Sequence, residues 1–458
     1  MEDMKNGKRS SFSGKLGYVL AAAGASVGLG NIWRFPYLAA KYGGGIFLII
    51  YIVLALTFGY TMIVAETAIG RMTRKSPVGA FKSFGKKKWL SFGGWINAVI
   101  PVLIVPYYSV IGGWVIKYLV EDFRGNAKLL AEDGYFTDFI SNGVSTELCF
   151  VAFCAFTLII IFAGVQNGIE RVSKIMMPIL IVLSVIIAVY SVTRPGALAG
   201  VKYFLVPNVK NFSWMTVVSA MGQMFYSLSI AMGILITFGS YMKKDTAIED
   251  STRNVEIFDT GIAIMAGLMI IPAVFAFSGG DPDTLQAGPS LMFITIPKVF
   301  QNMGFGTVIG IVFFLLVLFA AVTSSIALTE SAVSTFEDEL GWGRKKATVL
   351  VGVIMLALGS LSSLGYGPLA GIKIIGMQFL DLFDFLTNSV MMPIAALITS
   401  LLVSRVVGID KIEEEIIHGE SAFRRKKVFV VMIKYLCPVF AIIILLSSVA
   451  NALGWIKM

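Results

Sequence analysis

Gly24-Ala25-Ser26-Val27-Gly28-Leu29-Gly30-Asn31 interrupts the first apolar segment of the chain, and Ile32-Trp33-Arg34-Phe35-Pro36 follows at once. In lipid every backbone polar group needs a partner, so non-helical backbone survives only inside protein or beside a water-filled cavity. Glycines, an asparagine and an arginine anchor a span poorly, but they free carbonyls and amides to hold an ion and a small polar solute. A second apolar segment breaks at Ser227-Leu228-Ser229-Ile230-Ala231-Met232-Gly233. Corresponding breaks in two halves of a chain point to a binding site between inverted repeats. Close helix packing is the plainer use of small residues, and Gly43-Gly44-Gly45 fits it. It does not account for Asn31 and the hydroxyls inside the breaks.

Other chemistries find little support. His418 is the only histidine and lies in a charged stretch. Cys149, Cys154 and Cys437 are odd in number, lack metal-ligand spacing and read as small apolar residues. No paired catalytic acids, zinc motif or activated nucleophile stands out, so an intramembrane enzyme is the weakest reading.

The elements that position the breaks follow from composition. The chain has 458 residues, 57% hydrophobic and 14% charged, and a mean hydropathy of +0.82. Apolar runs cover 44–65, 95–116, 148–165, 174–192, 214–239, 257–277, 305–328, 347–364, 386–404 and 428–450. Each is near the roughly 20 residues that cross a bilayer as a helix. With the broken first segment they give eleven spans in an all-α polytopic membrane protein. Broken spans 1 and 6 set an inverted five-plus-five repeat: 1–14 is an N-terminal segment, 15–200 the first repeat and 201–408 the second. The remainder, 409–458, holds a loop and span 11. Ala21-Ala22-Ala23-Gly24-Ala25 after a basic stretch could pass for a signal-peptide cleavage site, but the apolar run before it is short.

The net charge of +9 is uneven. Arg71, Arg74, Lys75, Lys82, Lys86, Lys87 and Lys88 follow span 2, whereas Glu121, Asp122, Glu132, Asp133 and Asp138 outnumber Lys117, Arg124 and Lys128 after span 3. The positive-inside rule then places the N-terminus in the cytoplasm of a plasma (inner) membrane and the C-terminus outside it. The basic loop around His418, with Arg424, Arg425, Lys426 and Lys427, agrees. The basic excess expresses topology, not nucleic-acid binding.

Gly-Leu-Gly-Asn-Ile-Trp-Arg-Phe-Pro-Tyr at 28–37, Gly-Gly-Gly at 43–45, and 222–229, 320–325 and 336–340 together resemble the neurotransmitter:sodium symporter family. The likeness runs in order along nearly the whole chain, with the span count of the common prokaryotic form. It implies two sodium sites. One would use the Ser26 carbonyl, Asn31, Ser227 and Asp259 with the substrate carboxylate. The other would use the carbonyls of Gly24, Val27 and Ala320 with the hydroxyls of Thr323 and Ser324. Taken alone, such hydroxyls commonly bond back to the carbonyl one turn earlier.

The resemblance places a substrate carboxylate at the Leu29 and Gly30 amides and the Tyr108 hydroxyl, since helix N-termini favour anions. Its ammonium group would meet carbonyls near Tyr226 and Ser227, with Ser229. Ala25, Ile104, Tyr108, Tyr226, Met232, Ser324 and Leu328 would line the side-chain pocket. Family members for monoamines carry aspartate where this chain has Gly28, so a substrate must bring its own carboxylate. A hydrophobic amino acid, aliphatic or aromatic, is expected.

Asp259 replaces the asparagine of the family's chloride-dependent members, and Ala263 their serine, while Tyr51, Gln223 and Ser227 match other chloride-site positions. A fixed carboxylate beside the first sodium predicts that chloride is not required, with Asp259 protonated on the empty return step. Arg34 and Asp384 match an extracellular gate. Arg9 and Asp338 match a cytoplasmic one, supported by Tyr241. Glu66 and Asp381 receive no role. The expectation is a sodium-coupled amino-acid symporter working by alternating access. A non-transporting amino-acid sensor and a proton-coupled carrier are the alternatives.

Overall fold

The computed structural model describes residues 9–279, 288–452 and 455. The first eight residues of the N-terminal segment, and those after 452 other than 455, lie outside them. Among the described residues the secondary structure is helical; only the isolated bridges Gly44–Pro207 and Ile374–Met377 pair extended backbone.

The first span is two helices, α1 (Lys15–Ser26) and α2 (Gly30–Lys41), bent by 53°. Val27 turns to extended backbone, and its amide closes α1 on the Ala23 carbonyl at 2.7 Å. Asn31 Oδ1 then accepts the Gly28 amide at 3.1 Å, holding the turn from within. Next come α3 (Gly45–Thr73), α4 (Lys88–Phe123), α5 (Gly143–Phe162) and α6 (Val165–Val192).

The sixth apolar segment is also two helices, α7 (Trp214–Ser227) and α8 (Ile234–Ser240). Between them Ser229, Ala231 and Gly233 have φ of 52°, 59° and 69°. The left-handed region costs a residue with a Cβ roughly 1–2 kcal/mol, so two of the three turns here are strained. The break is therefore built by its surroundings rather than by glycine alone. The chain continues through α9 (Ile248–Ser278), α10 (Gly306–Leu340), α11 (Arg344–Leu364), α12 (Phe379–Val407), the short α13 (Ile409–Ile417) and α14 (Lys426–Ala452).

Nine helices among the described residues are long and apolar enough to cross a membrane, and the bent α1–α2 pair makes a tenth. The expected eleventh, at 214–239, falls short because its break leaves pieces of 14 and 7 residues. The helices also outrun the apolar runs. α4 and α10 extend to 36 and 35 residues, because polar residues beyond their runs, such as Glu121 and Asp122 of α4 and Glu330, Ser331 and Ser334 of α10, are buried against the bundle rather than ending the helix. The most extensive helix contact joins α4 to α10, and α1 packs between α9, α10 and α6. The two breaks thus lie at the centre of the bundle.

Candidate functional site

All thirteen residues expected at the substrate line one cavity: Ala25, Ser26, Gly28, Leu29, Gly30, Ile104, Tyr108, Tyr226, Ser227, Ser229, Met232, Ser324 and Leu328. Asn31 completes the wall, which carries no acid or base. Its polar side is the α1–α2 turn, where the Leu29 amide donates to the Tyr108 hydroxyl at 3.2 Å. Ser229 Oγ donates to the Ala25 carbonyl at 2.9 Å, so one break is pinned to the other. A Cβ on Gly28 would lie 2.7 Å from Ser324 Oγ and 3.0 Å from the Tyr108 hydroxyl. Glycine there leaves room for solute atoms and nothing larger.

Behind the wall, Asp259 of α9 is fully buried. Its Oδ1 accepts from Asn31 Nδ2 and Ser227 Oγ, each at 2.8 Å, and its Oδ2 from the Tyr51 hydroxyl at 2.9 Å. Asn31 Nδ2 also reaches Ser227 Oγ at 2.9 Å. Three neutral donors satisfy this carboxylate, with no basic side chain among them. Asn31, Ser227 and Asp259 are therefore brought together, and Ser26 shares the cavity wall with the first two. Gln223 donates to the Gly30 carbonyl at 3.0 Å rather than to Asp259. Ala263 is buried one turn further along α9.

The second oxygen cluster lies where α1 meets α10. Ser324 Oγ is within 3.2 Å of the Gly24 carbonyl, 3.1 Å of Ala25 and 3.3 Å of Val27, although a hydroxyl has one proton to give. Thr323 Oγ1 points to the carbonyls of Phe319 at 2.9 Å and Ala320 at 3.2 Å, and its Cβ would stand 3.1 Å from a Cβ on Gly24. Ser324 thus gathers the Gly24 and Val27 carbonyls, whereas the Thr323 hydroxyl is turned back onto its own helix at Phe319 and Ala320. Neutral oxygens of this kind suit a hard monovalent cation that needs no ligand deprotonated. No group of three or more His, Cys, Asp or Glu with metal-site geometry occurs among the described residues.

The two expected gates differ. Arg9 Nη1 holds both oxygens of Asp338 at 2.6 and 2.7 Å, while the Ser76 amide donates to Asp338 at 2.6 Å. The Arg9 guanidinium lies 5.1 Å from the Tyr241 ring centroid, and the Tyr241 hydroxyl donates to Glu330 at 2.7 Å. Arg34 and Asp384, by contrast, form no ion pair. Arg34 sits over the Tyr226 ring at 5.3 Å, and Asp384 takes Tyr107 at 3.2 Å and Asn388 at 2.5 Å. Each charge has found another partner, so the expected contact is absent in this conformation.

Glu66 and Asp381 carry no role in the expectations drawn from sequence, and Glu66 proves to touch the site. It is fully buried on α3, and its Oε1 accepts the Ala231 amide at 2.7 Å in the strained α7–α8 break. The available signal was an acid inside an apolar run. Asp381 accepts only the Tyr366 hydroxyl, at 3.3 Å.

Two broken helices crossing at a neutral, oxygen-rich cavity define a solute carrier of the broken-helix type. The profile of the Sodium:neurotransmitter symporter family matches residues 9–131 and 137–455, and the chain belongs to that family. The sodium-dependent transporter YhdH of Bacillus subtilis is 34% identical over 450 residues, 97% of this chain and 99% of that one. A sodium-dependent transporter of Haemophilus influenzae is 31% identical over 97% of this chain and 99% of its own length. The crystal structure of MhsT in complex with L-phenylalanine superposes with a TM-score of 0.86 at 34% identity, covering 96% of this chain and all of that one. The protein is a sodium-dependent symporter of the membrane and not an enzyme.

Proposed function

We propose that the chain imports a hydrophobic amino acid together with two sodium ions, by alternating access and without chloride. The carrying observation is the cavity: amides and carbonyls of the breaks on one side, Ala25, Ile104, Met232 and Leu328 on the other, and no charged side chain in its wall. A zwitterion supplies both charges the backbone can meet, and an apolar side chain suits the remainder. The likeness to a transporter crystallised with L-phenylalanine supports this reading.

Asn31, Ser227 and Asp259 with the Ser26 carbonyl form the first sodium site, and the Gly24–Ser324 oxygen cluster the second. The Asp259 carboxylate supplies at the first site the negative charge that chloride brings in other members. Residues 15–200 and 201–408 form the inverted repeats that rock against each other around this site. The N-terminus is cytoplasmic and the C-terminus extracytoplasmic, so the Arg9–Asp338 pair is shut while Arg34 and Asp384 stand apart. That combination belongs to a carrier facing outward.

Two sodium ions moving with a zwitterion carry two charges, each gaining about 2.3 kcal/mol at 100 mV and about 1.4 kcal/mol from a tenfold gradient. The total of about 7 kcal/mol supports accumulation near 10⁵-fold. The test is uptake of labelled phenylalanine and leucine into proteoliposomes, with an inward sodium gradient or with sodium equal on both sides. Accumulation only under the gradient is expected. Sodium-dependent binding without accumulation would indicate a sensor, and uptake following pH instead of sodium a proton-coupled carrier.

A further inference from the structure

Span 2 ends in a basic segment that the transport reading leaves unused. Lys86, Lys87 and Lys88 are exposed, and none has an ion-pair partner among the described residues. Lys82, at the end of helix Pro77–Lys82, pairs with Glu339 at 2.7 Å and lies 5.7 Å from the Trp95 ring centroid. On α4, Lys88 opens a stripe at helical spacing that continues through Phe92, Trp95, Val99 and Val102. Phe92 and Trp95 are 55% and 42% exposed, whereas Ile96, Asn97 and Ile100 on the other face are buried. The stripe is therefore exposed along the apolar face of α4, with Lys88 one turn before Phe92 and two before Trp95.

Topology alone asks only for basic residues somewhere in this loop. It does not ask for three successive lysines without an ion-pair partner among the described residues, leading straight into an exposed phenylalanine and tryptophan. We infer that Lys86, Lys87 and Lys88, with Phe92 and Trp95, hold one anionic phospholipid: its phosphate at the ammonium groups and its upper acyl chain along the rings. Charge complementarity selects the headgroup, since juxtamembrane lysines attract acidic lipid, and the aromatic stripe selects a lipid over a free phosphate ion. The same segment carries Ser76 and Lys82, which hold Asp338 and Glu339. A bound lipid thus braces the loop that backs the Arg9–Asp338 pair.

The test uses the purified full chain in detergent, with phosphatidylglycerol or phosphatidylcholine added and retention read by native mass spectrometry. Phosphatidylglycerol is expected to remain bound and phosphatidylcholine to dissociate, with millimolar inorganic phosphate failing to displace the phosphatidylglycerol. The variant K86Q/K87Q/K88Q should lose retention roughly a hundredfold, at the ordinary worth of three juxtamembrane charges. K86R/K87R/K88R should restore it, and K345Q/K346Q, on another exposed basic turn, should leave it intact. Trp95→Ala should lower retention with the lysines in place, which covers the case of a poorly folding triple variant. Equal retention by wild type and the glutamine variant, or equal binding of the two lipids, would overturn the assignment.

Discussion

The Tyr51 hydroxyl reaches Asp259 Oδ2 across 2.9 Å and ties α3 to α9 behind the cavity wall. Its second consequence is electrostatic. With Asn31 and Ser227 on the other oxygen, the carboxylate is held by neutral donors only, so its charge stays available to a cation.

Uptake by the wild type should be the same in chloride as in gluconate. Asp259→Asn removes the fixed charge and should lower sodium-driven uptake at least about tenfold, the usual range for a charged hydrogen-bonding group. D259N/A263S should then respond to chloride. Paired uptake assays in the two anions check all three, and a wild type that needs chloride contradicts the role given to Asp259.

Ser324→Ala removes the hydroxyl that the carbonyls of Gly24, Ala25 and Val27 surround. The sodium concentration for half-maximal binding should rise about tenfold, as for loss of about 1.4 kcal/mol. Thr323→Val should act in the same direction. If Thr323 serves only its own helix through Phe319, that variant will bind sodium normally. Scintillation-proximity binding across a sodium series separates these cases.

Gly30→Ala should abolish substrate binding while leaving the fold intact. An added Cβ would stand 2.4 Å from the Tyr226 ring, which must then turn and disturb both the cavity and the Arg34 stack. Substrate titration alongside thermal melting in detergent distinguishes a lost site from a lost fold.

Arg71 is fully buried and pairs with Glu415 of α13 at 2.6 Å while donating to the Thr246 carbonyl at 2.5 Å. Breaking a buried pair from one side costs about 3–5 kcal/mol, so Arg71→Met should sharply lower the melting temperature. Arg71→Met with Glu415→Met should recover much of that loss, because no buried charge is left stranded and Lys244, the other partner of Glu415 at 3.5 Å, is exposed to solvent. The melting temperatures of the three proteins in detergent decide it.

Much of the site was readable from residues. The breaks at 24–31 and 227–233 gather glycine, hydroxyls and Asn31 within apolar segments, and the structure places helix ends there. What composition hid was long-range. Glu66 meets Ala231 across 165 positions, and an isolated acid in an apolar run does not name its partner. Helix ends were missed for a related reason: α10 runs on through Thr329, Glu330, Ser331 and Ser334, polar in sequence yet buried in the bundle. The Arg34–Asp384 separation belongs to conformation, which residue identity does not specify.

The unequal fastening of the two ends has a consequence for the idle molecule. One door is bolted by a two-pronged ion pair and an aromatic ring, while the other hangs on a ring and two neutral donors. The Arg9–Asp338 end is therefore the harder of the two to part, and the proposed outward-facing state is the one it favours. Added electrolyte dulls a partly exposed bolt. Raised ionic strength should therefore slacken the Arg9 end, while the neutral contacts that hold Arg34 and Asp384 feel it far less.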